Sequence, residues 1–522
     1  MYRVMIGVII AIIALVGGIG FWSYLTDTQS QTDIDAAFVE EDRVQVAVLP
    51  TPDVQSQSID SSTMFPQPHP MLPGADDPPI QWIVTGGGAL PEMNQISLEQ
   101  DAQLAISRLP GFGRIFFAAG TGSQTVQVQT QPMVADELEF ALGEIFQPRG
   151  GRDSTYRAVT ILNAQPATKE ATLTTIKAAL GQGQKPLLVA ILGHGDQGEV
   201  ARDNLAGFWP GDTLTAAELT AELDSTQTQR MTRFVITTCF SGGFAEMVFH
   251  DADPDAGVTH QNRCGLFSAT WDLEASGCDP NPDRRAQEGF GQHFWHALSS
   301  EDRLGQPLDR HQIDADKNGE ISLLEAHGWV RITSASLEVP TTTSERWLRH
   351  VAPAEGPEED VSLPVEDMVI AQLSSRLNTT TLEEAQKQLE VLQQQSQTAL
   401  DKVTEAQEKE EKAFRMLAGE LLSRWPVLDD PYHPAYRSML TEQRDVILAL
   451  LERHELSRTF QNQLREAERA QIALEDSRVR SAPLHRLMRA LENRQLARRL
   501  KAQGGKNWQL YQRFLACENT VP

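Results

Sequence analysis

Two short apolar runs constrain this chain more than any other feature, because each ends in a side chain capable of covalent chemistry. Pro186-Leu-Leu-Val-Ala-Ile-Leu192 runs into Gly193-His194-Gly195, and Arg233-Phe-Val-Ile-Thr-Thr238 runs into Cys239-Phe240-Ser241-Gly242-Gly243. Short aliphatic runs bounded by glycine read as strands buried on both faces of a parallel sheet. Between them, Thr215 to Leu223 has helical spacing, with Thr215 and Glu218 at capping-box positions. A strand–helix–strand crossover points both strands the same way. It sets His194 and Cys239 beyond the carboxyl ends of parallel strands, where open α/β sheets carry their sites. A thiol and an imidazole there can act as nucleophile and general base. A Cys or His alone is more often structural; the pairing and the glycines single these two out. The glycines leave room for a substrate backbone, and the N–H groups of Gly195 and Cys239 are the candidate oxyanion donors.

This pattern resembles the legumain family of caspase-like cysteine peptidases, in which one strand ends in His-Gly and a later one in Cys with Ser-Gly following. The matching residues are His194-Gly195 and Cys239 to Phe244, and the likeness extends through Gly265–Trp271, Ala275–Asp279 and Gly291–Leu298. It spans Pro79 to Glu345. The resemblance implies a caspase-like α/β/α sandwich with a mostly parallel sheet. It also implies a peptide or protein substrate cleaved through a thioester at Cys239, with His194 as the base that then protonates the leaving amine. The loop after the third sheet strand would line the pocket for the residue before the scissile bond. Asp272 and Glu274 lie there, and acidic side chains would favour a basic or Asn residue. Two alternatives stay open: a transamidase that passes the same thioester to an amine, and a catalytically idle head on a helical scaffold.

The regions around this head differ in character. Residues 1–26 hold an uncharged run from Val4 to Leu25, long enough to span a bilayer as a helix. Arg3 precedes it and Asp27, Asp33 and Asp35 follow, so a single-pass anchor with a cytoplasmic N-terminus and an extracytoplasmic (periplasmic or extracellular) bulk is expected. Residues 27–78 are rich in Gln, Ser, Thr, Asp and Pro and read as a tether, with one short strand candidate at Val44–Leu49. The head, 79–350, opens with a strand at Ile80–Thr85 and a glycine turn, then a helix capped by Ser97. Further strands are expected at Gly111–Phe117 and Val159–Leu162, and a helix at Lys169–Leu180. No GxGxxG or P-loop is present, so no organic cofactor is expected. Of the four cysteines, Cys239 should be free, while Cys264 and Cys278 are either a disulfide or two buried thiols.

A second motif is independent of the first. Asp314, Asp316, Asn318, Glu320, Ser322 and Glu325 fall at the ligand positions of an EF-hand loop, Glu320 through its carbonyl. Gly319 stands at the sharp turn. Calcium favours such a dense set of hard oxygens, and a lone loop suggests a structural brace for the head.

Residues 351–366 read as a linker, and 367–522 as a helical, coiled-coil-like region. Leu382, Ala385, Leu389, Leu392, Ser396, Ala399, Val403 and Ala406 follow a heptad seam. Breaks at Trp425-Pro426 and Asp429–Pro434 and a gap between Asp476 and Leu484 divide it into three helices, the second from about Ser438 and the third to about Gln503, which either fold back as a hairpin or self-associate between chains. Basic helices like the run from Arg478 to Lys506 can meet nucleic acid or anionic lipid, but the net charge of −26 and the anchor argue for a solvated face or one that meets the acidic head, with no nucleic acid partner expected.

Overall fold

A computed structural model describes residues 78–129, 137–146 and 154–522. The expected anchor, most of the tether and the Val44–Leu49 strand lie outside the described residues. Among the described residues no helix is long and apolar enough to cross a membrane.

The head runs β1 (Trp82–Gly86), α1 (Ile96–Arg108), β2 (Gly113–Phe117), β3 (Gln124–Gln129), α2 (Glu137–Phe146), β4 (Ser154–Ala158), α3 (Lys169–Leu180) and β5 (Leu187–Leu192). It continues with β6 (Gly195–Asp196), β7 (Leu205–Phe208), β8 (Asp212–Thr215), α4 (Ala216–Asp224), β9 (Thr232–Ile236) and β10 (Arg263–Phe267). Then come α5 (Phe290–Ser299), α6 (Leu323–Thr333), β11 (Thr341–Thr342) and α7 (Thr343–Val351). The main sheet has the order β11-β10-β9-β5-β1-β2, parallel except at the short β11 edge.

Side-chain alternation along β5 explains its unbroken apolar sequence. Leu188, Ala190 and Leu192 pack with α1, α5 and α6, whereas Leu187, Val189 and Ile191 pack with α3 and α4 on the opposite face. Each fully buried Leu or Ile contributes roughly 1.5–3 kcal/mol, so a strand covered on both sides has no polar positions to spare. The capping box at Thr215 and Glu218 forms as expected: Glu218 N donates to Thr215 Oγ1 at 3.0 Å, and Thr215 N to Glu218 Oε2 at 2.9 Å. The crossover from β5 to β9 also carries a small antiparallel sheet, β6-β7-β8.

Two local expectations need correction. The strand expected at Val159–Leu162 lies earlier, at Ser154–Ala158, paired antiparallel to β3. β4 is largely polar and β3 sets Val126 and Val128 among polar residues, so no apolar run marks them. Ser97 does not cap α1; Gln95 holds that position, and Ser97 Oγ instead accepts from Asp279 N at 2.7 Å.

The C-terminal region forms α8 (Pro364–Leu377), α9 (Leu382–Arg424), α10 (Tyr436–Arg453), α11 (Glu455–Gln503) and α12 (Gly505–Glu518). Its long helices make an antiparallel hairpin within the chain. Leu389 packs with Leu484, Ser396 Oγ lies 2.9 Å from Ser477 Oγ, and the Phe414 and Phe460 rings are 6.3 Å apart. At the far end, Leu138, Leu142 and Ile145 of α2 pack against Leu417, Leu421 and Trp425. The helix break expected near Pro483 is absent: α11 runs through it, and the break falls at His454, whose Nδ1 caps Leu456 N at 3.3 Å. A helix-interior Pro costs about 3 kcal/mol; the buried flanks Ala482, Leu484 and Leu487 offset it.

Residues 354–360 are exposed, and the stretch 351–366 packs at its C-terminal end, where α8 begins at Pro364. Leu363 is buried with Phe249, Trp347, Tyr511 and Phe514. Glu358 lies 3.4 Å from Arg499, and Glu359 3.1 Å from Lys501, so part of the basic run meets this acidic stretch. The disulfide joins Cys264 of β10 to Cys517 of α12, with Cα atoms 6.0 Å apart, and Cys278 is a free thiol. Cys264 is fully buried beneath α12, while Cys278 packs against the α1/α5 face and cannot pair with it.

Candidate active site

Strand register brings the two candidate residues together. Ile191 of β5 pairs with Ile236 of β9, and Thr237 N extends the ladder to Ile191 O at 3.0 Å. His194 and Cys239 each stand three residues beyond that pair, so they leave the sheet side by side. A Cβ on Gly195 would lie 2.5 Å from Cys239 O and 2.7 Å from Leu205 O. One on Gly242 would lie 2.6 Å from Trp271 N. These glycines therefore make room for the protein's own backbone.

The turn after Cys239 is sharp. Phe240 has φ 56° and ψ 19°, a left-handed conformation costly for a residue with a side chain. Buried Asn204 holds it there: Nδ2 donates to Phe240 O at 2.9 Å and to Trp271 O at 2.6 Å, and Oδ1 accepts from Gly198 N at 2.9 Å.

His194 is oriented by residues the sequence did not flag. Its Nε2 lies 2.8 Å from Met93 O and 2.9 Å from Gln95 Oε1. A carbonyl only accepts, so Nε2 carries the proton and Nδ1 keeps its lone pair. Gln95 Nε2 donates to Glu92 O at 3.2 Å, which turns Oε1 toward the imidazole. Burial pushes the His194 pKa below its ordinary value, against the opposing pull of the Met93 bond. At rest the imidazole is a neutral base.

Cys239 turns to the loop after β10. Its Sγ donates to Ala275 O at 3.3 Å and accepts from Ala275 N at 3.4 Å. The two candidate residues thus follow adjacent strands, with each side chain engaged with other partners. Burial pushes the thiol up to about 11; the Ala275 contact opposes this, and the Glu274 and Glu338 charges add to it. At rest Cys239 is a thiol and His194 a neutral imidazole.

Of the oxyanion candidates, Gly195 is placed by the small sheet. Gly207 N donates to His194 O at 2.9 Å, so the next pair, Gly195–Ala206, is the non-hydrogen-bonded kind. The Gly195 N–H is therefore left outside that ladder. Asp272 and Glu274 are both surface residues on the Trp271–Ala275 loop. Glu274 lies within electrostatic reach of Cys239. Partial burial raises its pKa, with Arg478 of α11 opposing and Glu475 and Asp196 adding to the rise. Trp271 and Leu273 are exposed on the same loop.

The oxygen-rich loop lies elsewhere in the head. Carboxylate oxygens of Asp314, Asp316 and Glu325 all fall within 4.8 Å of one another. Backbone amides order them: Gly319 N donates to Asp314 Oδ2 at 2.9 Å, Asn318 N to Asp316 Oδ1 at 3.1 Å, and Ala315 N to Glu325 Oε1 at 2.8 Å. Gly319 has φ +86°, as the turn requires. Ser322 caps α6 and donates to Asn519 Oδ1 at 2.7 Å, while the Glu320 side chain faces Arg310 at 3.8 Å. Three converging carboxylates, two of them buried, are a donor set suited to a hard cation.

No protein-family model matches the chain, and no curated protein does. Gln95 and the Met93 carbonyl escaped sequence reading because a carbonyl leaves no side-chain signature and a lone Gln has no spacing to read.

Proposed function

We propose that this chain is a cysteine endopeptidase of the legumain-like kind, with a caspase-like head. In this reading Cys239 attacks the scissile carbonyl, His194 Nδ1 takes the thiol proton, and the resulting imidazolium protonates the leaving amine. A water then hydrolyses the thioester. The Gly195 and Cys239 N–H groups stabilise the oxyanion, and Asp272 and Glu274 face the substrate side chain before the cut. The observation that carries the reading is the equal offset of His194 and Cys239 beyond adjacent parallel strands, with the imidazole fixed as a neutral base. Thiol and imidazole are not hydrogen-bonded at rest, so substrate binding must turn Cys239 from Ala275 toward His194.

Calcium in the loop Asp314–Glu325 would brace the head. Asp314, Asp316, Asn318, Ser322 and Glu325 would hold it with side-chain oxygens and Glu320 with its carbonyl. The ion would neutralise the acidic cluster and fix α6. An N-terminal anchor would hold the head outside the cytoplasm. Cleavage of a peptide library by the full chain, abolished in C239A and in H194A, tests the peptidase reading. Cleavage surviving C239A would overturn it. An idle head on a helical scaffold is the second reading, favoured by the high thiol pKa.

A further inference from the structure

The helical hairpin is joined to the nucleophile by a continuous chain of hydrogen bonds. It begins at Arg486 of α11, whose guanidinium is fully buried. Its nitrogens donate to Ser334 O at 2.7 Å, Ser336 O at 2.6 Å and Glu338 O at 2.6 Å, fixing the loop between α6 and β11. That loop aims the Glu338 carboxylate inward, where it is fully buried. Glu338 Oε1 accepts from Ser276 N at 3.1 Å and Phe290 N at 3.0 Å, and Oε2 from the Ser334 hydroxyl at 3.0 Å and the Ser336 hydroxyl.

The two backbone amides can only donate, which favours the ionised carboxylate, whereas burial raises the Glu338 pKa. Phe290 is the first residue of α5, so the charge also lies at a helix N-terminus, where it is favoured. The backbones clamped by Oε1 approach closely: a Cβ on Gly289 would lie 2.8 Å from Gly277 Cα. Ser276 follows Ala275, which makes both hydrogen bonds to Cys239 Sγ.

We infer that Glu338 is a positioning residue for Cys239, clamping the Ala275–Ser276 segment that holds the thiol, and that Arg486 ties this clamp to the helical hairpin. The inference rests on Cys239 being the reactive thiol of the proposed function. It gives the C-terminal helices a part in the active site, which a separate scaffold would not have.

The test reads the thiol directly. The full chain is treated with iodoacetamide across a pH series, and the rate at Cys239 is resolved from Cys278 by peptide mass spectrometry. In E338Q the amide oxygen can still accept from Ser276 N and Phe290 N, but the charge is gone. The pH midpoint of Cys239 alkylation should fall by roughly half a unit or more, as loss of a nearby like charge requires. In E338D the charge stays while the clamp shortens by one methylene, so the midpoint should stay nearer the wild-type value and the alkaline plateau rate should change. R486K, which keeps a cation but loses the three-way fork, should change the plateau in the same sense as E338D. Should E338Q fail to fold, the E338D and R486K plateaus carry the test. A wild-type midpoint in folded E338Q, or wild-type plateaus in both E338D and R486K, would overturn the inference. Alkylation reports on the thiol whether or not peptides are cut, so such a result leaves the dyad to its own test with C239A and H194A.

Discussion

The Cys264–Cys517 disulfide offers a sharp test of how the chain is tied together. It links residues 253 apart, a sheet strand to the last helix. Closing a loop that long removes enough entropy from the unfolded chain to stabilise the fold by about 5 kcal/mol in the chain-entropy model. Residual compactness of the unfolded state lowers that figure, so C264A/C517A should lose about 2–5 kcal/mol. Alanine is the apt substitution because Cys264 is fully buried and a serine hydroxyl there would want a partner. Urea unfolding followed by tryptophan fluorescence, with and without reductant, measures the loss. Wild-type protein should shift to a lower midpoint on reduction, and the double variant should be indifferent to reductant. Non-reducing peptide mapping should join the peptides bearing Cys264 and Cys517. A Cys264–Cys278 link, or a wild-type midpoint unmoved by reduction, would refute the argument.

Other consequences follow from the same geometry. Protonated His194 cannot accept the thiol proton and its pKa is lowered, so kcat/KM should fall only as pH drops below 6.5, with no alkaline loss by pH 8; a pH–rate profile reads both limbs. In G195A the new methyl meets two backbone oxygens, an overpacking cost of about 1–3 kcal/mol. Thermal unfolding should show it, with reduced labelling of Cys239. E325Q removes a buried carboxylate from the acidic loop and should weaken terbium binding, followed by luminescence, roughly tenfold or more, while chelation should lower the wild-type melting temperature and leave that of E325Q nearly unmoved.

The sequence made the sheet legible where burial on both faces demanded it. Leu187–Leu192 and Thr232–Ile236 could hardly be anything but central strands, and the crossover between them fixed the side-by-side exit of His194 and Cys239. Strands β3 and β4 are not legible because Val126 and Val128 stand alone among polar residues there, too few to make an apolar run. Pro483 misled because local propensity says break, while burial of Ala482, Leu484 and Leu487 says continue. The disulfide was missed because its partner lies 253 residues away, and nothing local in Cys517 announces β10. At the site, residue types were legible and their partners were not: Gln95, Ala275 and Glu338 act through contacts that only the fold creates.

The most direct test of the central claim is covalent labelling of the full chain, with calcium present, by peptidyl acyloxymethyl ketones that vary the residue before the cut. The account predicts an adduct at Cys239, seen by mass spectrometry, that is lost in H194A. It also predicts a preference for a basic or Asn residue that weakens when Asp272 and Glu274 are neutralised. No adduct at Cys239 with any probe, in folded protein with that thiol reduced, would contradict it.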